Sequence, residues 1–376
     1  MGGGLVDLRA QDLGAKVIRA SLEASGVAKE DVQECFMGNV LSAGLGQAPA
    51  RQAALLAGLP VSTCCTTINK VCASGLKAVT MGAQSIALGH ADVVVAGGME
   101  SMSNAPYYLT GQARAGRGLK YGEQKILDGM AFDGLTDPAT GEAMGVFGEL
   151  CAREHNISRA DQDAFAAISY RRAQAAHAVN AFSNELIKVS VGKKGPVVAD
   201  EEHQRGRISK FPELRPAFEA KGTVTAASSS TISDGAAALV LASAAKVRSG
   251  GLRPLARILS YADAEQEPER FTTTVEMAIR KAVERARLRL SDVDYFEINE
   301  AFAVVVLANM KLLGLDPERV NVLGGACSLG HPIGASGARI LVTLCTVLHE
   351  RGARYGVAAI CNGGGGATAV VVERCR

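Results

Sequence analysis

The feature that most constrains this chain is a pattern written twice. Asp92 to Ala96 is a continuous apolar run that closes on Gly97-Gly98, and Tyr355 to Ile360 is another that closes on Cys361 and the glycines 363–366. A run without polar alternation suits a strand buried on both faces, in a sheet covered by helices. The neighbourhoods repeat as well. Asp31-Val32 corresponds to Asp292-Val293, the turn at Cys72 to the turn at His331, and Val93 to Gly98 to Ala358 to Gly363. A replay over so long a period indicates internal duplication, here of an α/β unit.

The first half reads as a helix from Asp7 to Gly26, a strand from Cys35 to Val40, a helix from Pro49 to Ala57, and a β-branched run from Cys64 to Ile68. Leu76, Val79, Ala83, Ile86 and Ala87 then recur at helical spacing, so Cys72 falls where a strand hands over to a helix. Free amides at a helix N-terminus favour thiolate over thiol and can hold an oxyanion, which marks Cys72 as a candidate nucleophile. The competing reading is a small buried core residue. The second half reads as strand Leu255 to Ala262, helix Val275 to Ala286, strand Asp294 to Ile298 ending in Asn299, strand Val320 to Leu323, helix Ser336 to His349, strand Tyr355 to Ile360 and closing strand Ala367 to Val372. Gly222 to Ala242 returns to the first sheet through a strand and small-residue turn at Thr223 to Ser230. Between the halves, Asn104 to Gly222 is polar and Gly-rich, with one helical piece from Ser158 to Phe182 capped by Ser158 and Asp161.

Composition narrows the function classes. A net charge of +2 argues against a polyanion-binding surface, so no nucleic acid is expected. The 9 cysteines are scattered without a Cys-x-x-Cys pair, which fits a reduced interior and neither a zinc site nor a disulfide framework. No apolar run reaches a membrane span of about 18 residues, and no leader pattern opens the chain, so the expected compartment is the cytoplasm.

Four motifs carry a resemblance. They are Lys-Val-Cys-Ala-Ser-Gly around Cys72, Asn299-Glu300-Ala301-Phe302, the block Gly324 to Arg339 containing Ser-Leu-Gly-His-Pro, and Cys361 followed by Asn362 and four glycines; Gly97-Gly98-Met99-Glu100-Ser101-Met102-Ser103 supports them. Together they resemble the thiolase family over nearly the whole chain, most closely its acetoacetyl-CoA thiolase branch. The resemblance implies a thiolase-like α/β fold: a duplicated five-layered αβαβα with an inserted loop domain. It divides the chain into residues 1–103 and 221–247 (N-terminal domain), 104–220 (loop domain covering coenzyme A) and 248–376 (C-terminal domain). It further implies condensation of two acetyl-CoA molecules to acetoacetyl-CoA and coenzyme A, in a homo-oligomer, dimer or tetramer, without a membrane partner and with no cofactor required beyond the coenzyme A thioesters that are its substrates.

By resemblance, Cys72 takes the acyl group and His331 is its base. Cys361 removes a proton from the second acetyl-CoA. The enolate oxygen is held by His331 and by a water fixed by Asn299, and the acyl carbonyl by the amides of Cys72 and Gly363. Ser230, Met144, Ala301, Phe302, Arg205 and Arg207 are expected around the substrate and coenzyme A. The chemistry suits these residue types. Thioester exchange between two sulfurs keeps the acyl group activated. Imidazole cycles near neutral pH. His331 stands before Pro332, which keeps it extended and out of the following helix.

Some positions depart from the family pattern. Ala143 stands where some members carry His, Val146-Phe147-Gly148 is bulkier than usual, and Phe271 to Val275 lacks a proline, leaving acyl-chain preference open. Potassium-binding members use a Tyr where this chain has His203, which argues against potassium, while the Ala226-Ala227 backbone keeps that site open. The family's first strand is absent from the N-terminal half. It is expected inside the sheet, so its loss should strip partners from two neighbours; restoring a family-like leading strand should then raise the melting temperature. The rivals are a degradative 3-ketoacyl-CoA thiolase and an inactive thiolase-like protein. A ketosynthase would need a second active-site His, and a dinucleotide fold needs more chain after the glycines.

Overall fold

The computed structural model describes residues 2–109, 125–192 and 195–375, so parts of the expected loop domain, 110–124 and 193–194, lie outside the described residues. The first half contains α1 (Ala10–Ser25), β1 (Glu34–Gly38), α2 (Pro49–Ala57), β2 (Cys64–Ile68), α3 (Ser74–Ala87) and β3 (Val93–Ser101). The intervening region contributes the hairpin β4 (Tyr107–Leu109) and β5 (Ile126–Asp128), α4 (Met144–Glu154), α5 (Arg159–Ala178), the hairpin β6 (Val189–Ser190) and β7 (Pro196–Val197), and α6 (Glu202–Arg205). The chain returns through β8 (Asp234–Ala242) and α7 (Ala244–Ser249). The second half is β9 (Ala256–Glu265), α8 (Thr274–Arg285), β10 (Tyr295–Ile298), α9 (Ala303–Leu313), α10 (Ala326–Leu329), α11 (Ser336–Glu350), β11 (Tyr355–Asn362) and β12 (Gly366–Arg374).

The repeat in the sequence is a repeat in space. One sheet has the order β2-β1-β3-β8 and the other β10-β11-β12-β9. Parallel pairs in each are completed by an antiparallel return strand, β8 or β12. α1 and α2 cover the first sheet and α8 the second, with α9 beside α8, while α3 and α11 pack together between the sheets, giving five layers. The middle layer is filled by Leu76 and Val79 of α3, Ile340, Leu344 and Leu348 of α11, and Ile360 and Val370 of the second sheet.

Four expectations are corrected. β3 does not stop at Gly97-Gly98 but continues to Ser101, because both glycines pair with β8 and lie flat against it; a Cβ on Gly97 would stand 2.2 Å from the Ala237 carbonyl oxygen. Val320 to Leu323 is not a strand; Val320 makes only an isolated parallel bridge to Phe296. Thr223 to Ser230 is likewise no strand, since its polar groups bond locally, as in Thr225 N to Ser228 Oγ at 2.8 Å. Finally, the strand that opens the second half is an edge strand: β9 pairs with β12 alone. Its counterpart would therefore flank β8 at an edge and leave only one neighbour short. Among the described residues β8 has no strand on that side and borders a groove of about 1530 Å³, lined also by α1, α11 and the start of β9.

Candidate active site

The turn before α3 is held by its own polar groups. Asn69 Oδ1 accepts from Val71 N at 2.9 Å, and Ser74 Oγ accepts from Lys70 N at 2.8 Å while donating to the Val71 carbonyl at 2.6 Å. Val71 is forced to φ 47°, a left-handed conformation that costs a β-branched residue about 1–3 kcal/mol and that clusters at functional sites. The strain sets the position of Cys72. Its Sγ accepts from the amide of Gly363 and from its own amide, yet burial outweighs both and pushes the thiol up to about 12. The expected thiolate at a helix N-terminus is thus a resting thiol, which needs a base to react.

A neutral imidazole lies at the same end of the neighbouring helix. α3 and α11 approach backbone to backbone through glycine: a Cβ on Gly75 would stand 2.9 Å from Ala338 N, and one on Gly337 2.5 Å from Leu76 N. This crossing sets the Cys72 and His331 turns side by side, and Ile333 packs in one cluster with Cys72, Val40 and Met102. Ser336 Oγ donates to the Pro332 carbonyl at 3.0 Å. Its single proton being committed, it accepts from His331 Nδ1–H at 2.5 Å, so Nε2 carries the lone pair. Nε2 is buried and has no partner among the described residues. Burial, with a smaller push from Arg339, lowers the imidazole to about 3 and keeps it neutral. Ser336 was not among the residues the sequence singled out; a hydroxyl five positions after a His-Pro turn is the available signal.

The second sulfur comes from β11. Cys361 is fully buried, and both burial and the nearby Cys72 sulfur hold its thiol well above the ordinary value. Gly363, two residues on, supplies the amide that reaches Cys72, and a Cβ there would meet Met144 Cε at 3.5 Å, placing Met144 of α4 over the same pocket. Asn299 ends β10 with its side chain wholly buried, and neither Oδ1 nor Nδ2 has a partner among the described residues. An unpaired buried amide is costly, so these atoms are poised for a ligand or water. Two thiols near each other, with the turn that carries a neutral imidazole beside Cys72, are groups suited to acyl transfer between sulfurs.

Comparison with known proteins agrees. The model of the thiolase N-terminal domain matches residues 1–245 and that of the thiolase C-terminal domain residues 252–374. The chain belongs to the thiolase family. Acetyl-CoA acetyltransferase of Schizosaccharomyces pombe is 54% identical over 99% of this chain and 95% of its own length. A cytosolic acetyl-CoA acetyltransferase of Gibberella zeae is 50% identical over 99% of this chain and 94% of its own. The crystal structure of the Acat5 thiolase of Ascaris suum in complex with coenzyme A superposes with TM-score 0.95 at 44% identity, covering 100% of this chain and 96% of that one.

The other residues expected from the thiolase resemblance divide. Ser230 and the 299–302 motif meet directly: Ser230 N donates to the Ala301 carbonyl at 2.9 Å and Ser229 bridges to Phe302. The Phe302 ring meets Phe218 edge-on at 5.8 Å. Arg205 is paired with Glu201 at 3.2 Å and lines the groove along β8, and Arg207 is exposed; no described contact joins either to Cys72. His203 is buried and stacked on His177 at 4.1 Å between centroids, which accounts for its place in the core of this region.

Proposed function

We propose that this thiolase is an acetyl-CoA C-acetyltransferase, an acyltransferase that reversibly condenses two acetyl-CoA molecules to acetoacetyl-CoA and coenzyme A by a ping-pong route. The observation that carries the reading is the convergence of groups from opposite halves: the amide of Gly363, two residues past Cys361, faces Cys72 Sγ, and Cys361 lies close enough for the two thiols to influence each other. In the first half-reaction Cys72 Sγ attacks the thioester carbonyl while its proton passes to His331 Nε2, the Cys72 and Gly363 amides facing the developing oxyanion. The carbon–sulfur bond to coenzyme A then breaks. Cys361 is protonated at rest and must lose that proton before serving as a base, and the departing coenzyme A thiolate is the acceptor the first step creates. In the second half-reaction the Cys361 thiolate removes a methyl proton from acetyl-CoA, and the enolate is held by protonated His331 and by Asn299. The enolate carbon attacks the acyl carbonyl, the bond to Cys72 breaks, and Cys72 recovers its proton from His331.

Met144, Ala301, Phe302 and Ser230 are read as lining the acyl and pantetheine path, supported by Met144 beside Gly363 and by the Ser230–Ala301 hydrogen bond. We read the enzyme as independent of potassium, supported by His203 being engaged with His177. A homo-oligomer, dimer or tetramer, is supported by the exposed Tyr107, Leu109 and Ile126 on the β4–β5 hairpin, and light scattering tests it. A cytosolic setting is supported by the Gibberella relative's name, and fractionation tests it. The function itself is tested by thiolysis of acetoacetyl-CoA against longer 3-ketoacyl-CoA, with and without potassium. Preference for acetoacetyl-CoA in both salts is expected; faster cleavage of the longer substrates would assign the degradative reaction instead.

A further inference from the structure

We propose that Glu100 is the positioning residue that holds the His331 turn against Cys72. It sits near the end of β3, within an otherwise apolar stretch, and is fully buried. Four donors converge on its carboxylate. Oε1 accepts from Asn39 Nδ2 at 2.7 Å and Leu41 N at 3.2 Å, and Oε2 from Val40 N at 3.0 Å and Gly334 N at 2.9 Å. Three of these belong to the loop after β1, in the half that carries Cys72. The fourth lies three residues past His331, so one carboxylate spans the two halves of the site.

The Gly334 side of the clasp is as tightly made. Its carbonyl oxygen lies against glycines on three elements of the first half: a Cβ on Gly98 would stand 2.0 Å from it, one on Gly38 2.5 Å and one on Gly75 3.0 Å. A Cβ on Gly334 itself would stand 2.7 Å from Glu100 Oε2. The His331 turn is therefore pinned at Nδ1 by Ser336 and at Gly334 by Glu100. A buried carboxylate of the other half differs. Glu300 accepts from Ser169 Oγ, Asn321 Nδ2 and Cys327 N, and so ties α5 and the second half together without reaching the first-half loop.

Burying a carboxylate is costly, and here burial raises it to about 7 despite its amide partners, with Asp234 adding to the rise. What the protein gains is registry. His331 Nε2 is useful only while it stays aligned with Cys72 Sγ, and a displacement of about 1 Å at such a site costs on the order of a hundredfold in rate. Glu100→Gln turns an amide group toward one pair of these donors, opposing N–H to N–H and freeing the turn.

The proposal rests on the acyltransfer reading, and its test does not need that reading to hold. Alkylation of Cys72 by iodoacetamide involves no thioester and depends on His331 accepting the thiol proton. In Glu100→Gln the alkylation rate at about pH 7.5 should fall at least tenfold, and it should keep climbing with pH where the parent enzyme levels off. The kcat for acetoacetyl-CoA thiolysis should fall about 10- to 100-fold with KM within about threefold. A purely structural loss lowers the folded fraction and scales the pH curve without changing its shape. A folded Glu100→Gln enzyme with the parent curve shape and kcat overturns the proposal. Should that variant not fold, Glu100→Asp keeps the charge but withdraws it by one methylene; the same altered curve supports the proposal, and the parent curve overturns it. If the parent protein fails to thiolyse acetoacetyl-CoA, the functional reading falls while the alkylation comparison still decides the role of Glu100.

Discussion

Removing the imidazole gives the sharpest expectation. Burial pushes the Cys72 thiol up to about 12, and without a base only about one molecule in 10⁵ would carry the thiolate at neutral pH. In the proposed mechanism His331 removes this obstacle, being neutral, held by Ser336 and open at Nε2. In His331→Ala, acylation of Cys72 by acetoacetyl-CoA should slow by about 10²–10⁴, the usual worth of a positioned general base. The pH dependence should change in kind. The rate of Cys72 alkylation should rise about tenfold per pH unit up to about pH 11, because hydroxide replaces the imidazole. Stopped-flow acylation and iodoacetamide alkylation, followed by mass spectrometry across the pH range, read both effects. A His331→Ala enzyme that alkylates at the parent rate and levels off at the parent pH would refute the assignment of His331 as the base.

Cys361→Ala should still acetylate Cys72 yet lose condensation; a variant losing neither step, measured by intact mass and by acetoacetyl-CoA formation, would refute the division of labour between the sulfurs. Asn299→Ala should slow condensation more than acyl transfer, since its unpaired amide is placed for the enolate half, and equal slowing of both would count against that role. Gly98→Ala should lower the melting temperature, with a cost of about 1–3 kcal/mol, because its Cβ would stand 2.0 Å from the Gly334 oxygen; an unchanged transition would contradict the close approach. Burial raises the Glu297 carboxyl to about 8, so the folded state holds its proton more tightly than the unfolded chain does. That stabilisation is full below about pH 4.5 and is lost as pH rises toward 8, at up to about 1.4 kcal/mol per pH unit. Glu297→Gln should flatten urea-unfolding stability across that window, and an unchanged slope would exclude the linkage.

Much of this architecture was legible because it is written in local signals. Pro49 at the start of α2, Gly26 ending α1 at φ 68° and the Ser158–Asp161 capping box all fall where the residues indicate. α4 was missed because Gly145 and Gly148 weaken its propensity, and its place comes from packing on α9 and the segment before α8. Val320 to Leu323 has strand composition but finds only isolated bridges, at Val320 and Val322, since pairing depends on a partner that composition does not reveal. At the site, Cys72, His331, Cys361 and Asn299 were each visible as reactive types at element ends. The electrostatics were not: helix position suggested a thiolate at Cys72, and only the three-dimensional packing reveals that burial wins. Glu100 stood in the sequence only as one member of the Gly97 to Ser103 motif, past the expected end of its strand, and its four donors come from two distant loops. Arg205 and Arg207 were set near the nucleotide end of coenzyme A by the family resemblance, their charge alone reading as a solvated face; Arg205 pairs with Glu201 at the surface.

The central claim is that Cys72 alone carries the acyl group while Cys361 only moves protons. Rapid-quench intact-mass and peptide mapping after acetyl-CoA is added tests it most directly. The account predicts one acetyl group, on the peptide containing Cys72, in the parent enzyme and in Cys361→Ala, and none in Cys72→Ala. Acetyl label on Cys361, or label persisting in Cys72→Ala, would contradict it.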